Sequence, residues 1–128
     1  MTGLLIVTDV CALDELEPLW GEAALVDGQQ IALFLLPDGS LYAVSNRDPA
    51  TGSFVMSRGI VGSRGERHTI ASPLHKEVYD LESGECFTTP GLHLPTFGVS
   101  AVEGRVLVAT DPRVTGVYRA PISASIGS

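Results

Sequence analysis

The sequence predicts an all-β fold of two antiparallel sheets, forming a sandwich or partly open barrel with a smaller hairpin subdomain inserted around residues 46–87. Three observations carry that prediction. Turn dipeptides recur at short intervals, at Asp27-Gly28, Pro37-Asp38-Gly39 and Glu103-Gly104, and aspartate or glutamate followed by glycine supplies the positive dihedrals of tight hairpins. The runs between them, EAALV, QQIALFLL, SLYAV, FGVSAV and RVLVA, have strand length and are rich in β-branched and aliphatic residues. Only ALDELEPLW, residues 12–20, looks helical, and Pro18 limits it to about one turn, which excludes a helical bundle.

In chain order, the opening apolar run LLIV is four residues long, lacks a basic region before it and is soon followed by Asp9. It is too short for a membrane span and is not expected to be a signal peptide, so a cytoplasmic location is expected. Asp14 is the candidate cap of the short helical turn. Residues 22–45 read as a three-stranded meander whose middle run, IALFLL at 31–36, is continuously apolar and suits a central strand covered on both faces. The pattern then fails over residues 46–75, which carry four glycines, two prolines and four arginines. An irregular segment this long in a compact domain is functional or hides short strands of its own. VYDL with its ESGE turn forms a hairpin candidate over 78–87, and FGVSAV-EG-RVLVA a second. Residues 111–128 read as an extended tail.

With 128 residues, 45% of them hydrophobic and 18% charged, the chain is long enough for one core without disulfide or metal staples. Eight basic against fifteen acidic residues give a net charge of −7. That field disfavours nucleic acid and anionic membrane surfaces as partners. Cys11 and Cys86 lie far apart without a ligand-type spacing and are expected to be buried, reduced thiols.

Two short loops bracket the irregular segment: Asn46-Arg47-Asp48-Pro49-Ala50 after SLYAV, and Ser72-Pro73-Leu74-His75 before KEVYDL. The pair resembles the two ligand loops of Rieske domains, in which Cys-x-His and Cys-x-x-His hold a two-iron, two-sulfur cluster. LYAVSNRDP is similar to the strand leading into the first of those loops, and VYDLESGEC to the strand leaving the second. By this resemblance Asp48 stands where the first cysteine is expected, Ala50 at the first histidine and Ser72 at the second cysteine, while His75 is kept. Three of four ligands are replaced. Alanine offers no lone pair and aspartate and serine are hard oxygen donors, so no cluster is expected here.

A Rieske-like scaffold without its ligands resembles the small-subunit (NirD) family of NAD(P)H-dependent assimilatory nitrite reductase. The similarity runs from VCALDELEP through DGQQIALFLLPDGSLYAVSNRDP to ASPLHKEVYDLESGEC, and VMSRGIVGSRGE is its most specific mark. It implies a Rieske-like domain over residues 1–110, with 46–87 a degenerate cluster-binding subdomain. It implies a non-catalytic subunit with no cofactor, whose partner is a large subunit carrying FAD, siroheme and a [4Fe-4S] cluster and reducing nitrite to ammonium. Arg47, Arg58, Arg64 and Arg67 form the candidate partner contact. The alternative is a Rieske-type [2Fe-2S] ferredoxin of an oxygenase electron-transfer chain; a free-standing binding module is a third reading.

His75 reads as a loop-closing histidine, with a mononuclear metal at Asp48 and His75 left open. His68 and His93 read as surface or hydrogen-bonded residues. Asp48, Ser72 and His75 contain the residue types of a nucleophilic triad, but no glycine-flanked elbow supplies an oxyanion site. Gly59, Gly62 and Gly65 are expected to serve turns rather than a phosphate cradle.

Overall fold

The computed structural model describes residues 7–74, 77–111, 113, 114 and 116–119. Nine strands are present among them: β1 (Thr8–Ala12), β2 (Glu22–Val26), β3 (Gln29–Leu35), β4 (Leu41–Ser45), β5 (Ile60–Arg64), β6 (Arg67–Ala71), β7 (Val78–Asp80), β8 (Thr96–Val102) and β9 (Arg105–Ala109). They form a six-stranded antiparallel sheet, ordered β1-β9-β8-β4-β3-β2, and a three-stranded sheet, β5-β6-β7. The large sheet curls into a nearly closed barrel, and β1 and β2 line the two sides of a seam of about 420 Å³.

The meander over 22–45 forms as the turn signals require. Asp27 and Gly28 have φ of 52° and 77°, and Glu103 and Gly104 φ of 50° and 78°, the paired positive dihedrals whose twist matches flanking strands. Alternation along β3 and β4 then builds two cores at once. Ile31, Leu33, Leu41 and Ala43 point into the barrel with Val99, Val106 and Val108. Ala32, Phe34, Tyr42 and Val44 point the other way, onto Met56, Ile70, Tyr79 and Leu94 under the small sheet. The unbroken run IALFLL is apolar because both of its faces are interior.

Several expectations need correction. The helical turn is a 3-10 segment, Leu13–Glu15, and Asp14 does not cap it; Ala12 is the N-cap residue, and its N–H donates to Glu15 Oε1 at 3.0 Å. Three residues are too few to leave the set of free N–H groups that an aspartate cap would serve. β1 has no alternating apolar signal; it is held by antiparallel pairing to β9, with an irregularity between Asp9 and Cys11. The irregular segment does hide strands, β5 and β6. After β7 the ESGE turn returns the chain as isolated bridges, Tyr79 with Cys86 and Glu85 with His93, rather than as a full strand. Cys86 is buried, but Cys11 is only partly so; both are free. Of the three glycines, Gly65 sits in a turn with φ of 64°, Gly62 lies inside β5 and Gly59 ends a second 3-10 turn, Met56–Arg58. In the tail, Tyr118 bridges to Leu41 and Arg119 pairs with Glu82 at 3.0 Å; residues 120–128 lie outside the described residues.

Candidate functional site

The two loops singled out in the sequence meet at one place. β4 ends at Ser45, and Asn46 anchors the first loop. Its backbone N–H donates to Gln30 O at 2.9 Å, its side-chain amide donates to Gln30 Oε1, and its Oδ1 accepts from Ser57 N at 2.7 Å. Both ends of the 46–57 excursion are thus tied to one buried side chain. Inside it, Asp48 turns the chain: Oδ1 accepts from Ala50 N at 2.8 Å, and its backbone bonds to Ser53 and Gly52, each at 2.7 Å. This self-bonding turn is the ordinary local use of aspartate. The second loop leaves β6 at Ala71 and is closed by Ser72 N donating to Glu77 O at 2.9 Å, with Ser72 Oγ accepting from Leu74 N.

Ser72 Oγ donates to Asp48 Oδ2 at 2.5 Å, and Asp48 is fully buried. A carboxylate and a hydroxyl 24 residues apart therefore join the two loops. Ala50 is exposed and contributes only its N–H. His75 lies outside the described residues. Tyr79, on β7, brings a buried hydroxyl with no hydrogen-bond partner among the described residues. Burial first, then the neighbouring Cys86, Asp48 and Glu77, hold it well above the ordinary phenol range. It stays protonated near neutrality and is no acid or base there.

A two-iron, two-sulfur cluster needs two thiolates and two imidazoles on facing loops. Asp48 and Ser72 present oxygens, and those oxygens are committed to each other and to backbone N–H groups. Ala50 has no donor atom. The described residues do not fit that cluster. Nor do they make a nucleophile site, because both Ser72 and Asp48 are closed off from solvent. Among the described residues no three histidines, cysteines or carboxylates converge as a metal site. His68 Nε2 stands 3.6 Å from Asp38 Oδ2, with its ring edge-on to Tyr42, and His93 Nε2 lies 3.1 Å from Ser83 O. Both are surface residues with local partners.

The four arginines differ in their surroundings. Arg67 Nε donates to Asp80 Oδ2 at 2.5 Å, and the Arg64 guanidinium stacks 4.9 Å above the Phe87 ring. Burial alone would raise the Asp80 carboxyl, but Arg67 and the N–H groups of Ser83 and Glu82 bring it below the ordinary carboxylate range. Arg47 and Arg58 are exposed, with no ion pair among the described residues. Sequence reasoning passed over Leu19, Trp20 and Ile60, which are exposed apolar residues beside Arg58; the Trp in an acidic, glycine-flanked stretch was the available signal.

A two-core β fold with paired loops beside a small three-stranded sheet defines a Rieske-like domain, and the family model described as "Rieske-like [2Fe-2S] domain" matches residues 7–109. Within that class, the chain belongs to the family of nitrite reductase (NADH) small subunits. It is 33% identical over 99 residues to the nitrite reductase (NADH) small subunit of Escherichia coli K12, covering 77% of this chain and 87% of that one. It is 36% identical over 75 residues to a segment of the nitrite reductase [NAD(P)H] large subunit of Klebsiella oxytoca, 59% of this chain and 8% of that one. A solved structure described as an NADH-dependent nitrite reductase small subunit from Mycobacterium tuberculosis superposes with a TM-score of 0.81 at 44% identity, over 84% of this chain and 97% of that one. The ferredoxin of carbazole 1,9a-dioxygenase from Nocardioides aromaticivorans superposes at 0.72 with 25% identity, over 82% and 98%.

Proposed function

We propose that this chain is the non-catalytic small subunit of an NAD(P)H-dependent nitrite reductase and works by binding the large subunit, holding no cluster of its own. The observation that carries the proposal is the buried Asp48–Ser72 pair, which closes the two loops on each other with the atoms that ligands would need. The flavin, siroheme and four-iron cluster implied by the family resemblance then belong to the partner, where nitrite is reduced to ammonium. Likeness to a segment of a large-subunit chain supports that partner, since a domain found within one polypeptide and alone in another is built to pack on the same neighbour. Arg47 and Arg58 are the better candidates for partner contact among the four arginines, because Arg64 and Arg67 already have partners within the chain. A cytoplasmic location belongs to the same proposal, because NAD(P)H, the reductant in the relatives' names, is held in that compartment.

The ferredoxin reading shares the fold but requires thiolate and imidazole at positions that hold Asp48, Ala50 and Ser72. Two measurements test the proposal. Iron and acid-labile sulfide on the purified chain are expected at background, and tagged chain is expected to retain the large subunit from its own host grown on nitrate. Stoichiometric iron and sulfide would return the chain to the ferredoxins, and retention of no large subunit would end the partner assignment.

A further inference from the structure

Leu19 has φ of 73°, a left-handed conformation that bulky residues rarely adopt. It is held there by Leu19 N donating to Leu35 O at 2.8 Å and Trp20 N to Glu17 O at 3.0 Å. The result is outward display: Leu19 is 48% exposed and Trp20 72%. Opposite them stand Arg58 and the first residues of β5, where Ile60 is also 72% exposed. A groove of about 600 Å³ runs between the two walls. Its floor is pressed shut by two glycines: a Cβ on Gly21 would meet Ser57 O at 2.2 Å, and one on Gly59 would meet Ala71 O at 2.5 Å. β5 is an edge strand paired only with β6 among the described residues.

Strain, display and close backbone approach together make this groove a built feature, and its chemistry names the occupant. Both walls are apolar, one side offers an open strand edge, and the single charge on the lining is Arg58, a cation without an ion pair among the described residues on a chain of net charge −7. We propose that the groove receives an extended segment of the large subunit in which a bulky apolar side chain adjoins a carboxylate. The apolar side chain seats between Trp20 and Ile60, the carboxylate pairs with Arg58, and the backbone adds to the edge of β5. The proposal rests on the subunit reading above. A second copy of this chain is a poor occupant: a two-fold contact sets the same patch against itself, and the lining holds no carboxylate to meet Arg58.

The test uses the whole chain titrated with the purified large subunit, its single tryptophan replaced by 5-fluorotryptophan. The one fluorine resonance shifts on binding. Ile60→Asp and Arg58→Glu each weaken binding about tenfold or more, as expected for residues at the centre of an interface, and Arg58→Glu reduces the salt dependence. Ile60, Arg58 and Val102 are all solvent-facing, so thermal midpoints stay near wild type, and Val102→Asp, exposed on β8 outside the groove lining, binds normally. An unmoved resonance, or both variants binding like wild type, overturns the groove and leaves the partner standing. A wild-type chain that fails to bind the large subunit overturns both. Self-association abolished by Ile60→Asp would give the groove to a second copy, and the proposal would again be wrong.

Discussion

Asp48 accepts hydrogen bonds at both carboxylate oxygens while fully buried, and a buried acceptor that loses its donor carries a full desolvation cost. Ser72→Ala removes the hydroxyl that reaches Asp48 Oδ2 and also the acceptor for Leu74 N. It is expected to lower unfolding free energy by about 2 kcal/mol, read from the denaturant midpoint at unchanged slope. A midpoint within error of wild type would mean that the pair does not tie the loops. The residues of this pair were legible in the sequence as loop positions, because proline and aspartate mark turns. Their bond to each other was not, because it crosses 24 positions and nothing local announces it. The same blindness separated the arginines: Arg67 and Arg64 look equivalent to Arg58 until β7 and the following turn bring Asp80 and Phe87 beneath them.

At the scale of elements, local chemistry predicted what local chemistry decides. Asp27-Gly28 and Glu103-Gly104 set their hairpins by dihedral preference alone. β1 was not read as a strand, and β5 and β6 were not placed within their irregular segment, because pairing partners hold them; β5 is exposed along nearly its whole length and has no apolar alternation to read. Two glycines with almost the same φ separate the two kinds of cause. Gly28, at 77°, would place a Cβ in open space, whereas Gly84, at 80°, would drive one to 2.0 Å from Leu94 O. Gly28→Ala is expected to cost about 1 kcal/mol, from dihedral strain only. Gly84→Ala is expected to cost about 3 kcal/mol, because the turn must also move away from the Leu94 backbone. Chemical denaturation of the two variants side by side checks the order, and equal losses would show that the turn yields without resistance.

For the whole molecule, β3 and β4 are the shared wall of two cores, so the small sheet is fixed to the barrel by alternate side chains of the same strands. The small sheet in turn is tied across β6 and β7 by Arg67 and buried Asp80, and this link sets how the protein responds to acid. Three aspartates have carboxyls held below their ordinary range: Asp38 by Ser40, Asp80 by Arg67 against the effect of burial, and Asp111, at about 2, by Arg113. A carboxyl lowered by folding stabilises the native state above its unfolded value, near 3.9, and that stability is lost as pH falls through the folded value. The main partners of Asp38 and Asp111, Ser40 and Arg113, are each two residues away, so much of their effect persists in the unfolded chain, and His68 adds only a lesser pull on Asp38. Asp80 meets Arg67 across 13 residues and only in the fold. Stability is therefore expected to stay level from about pH 8 to pH 5 and to fall below about pH 4. Asp80→Asn should cost about 2 kcal/mol at pH 7, with the gap to wild type narrowing as the acid removes the same charge. Relief of the −7 net charge acts on two proteins that differ by a single charge and largely cancels in that difference. Urea denaturation of the pair from pH 7 to 3 measures it, and a gap that stays constant or widens would mean that the Arg67–Asp80 link is not what acid breaks.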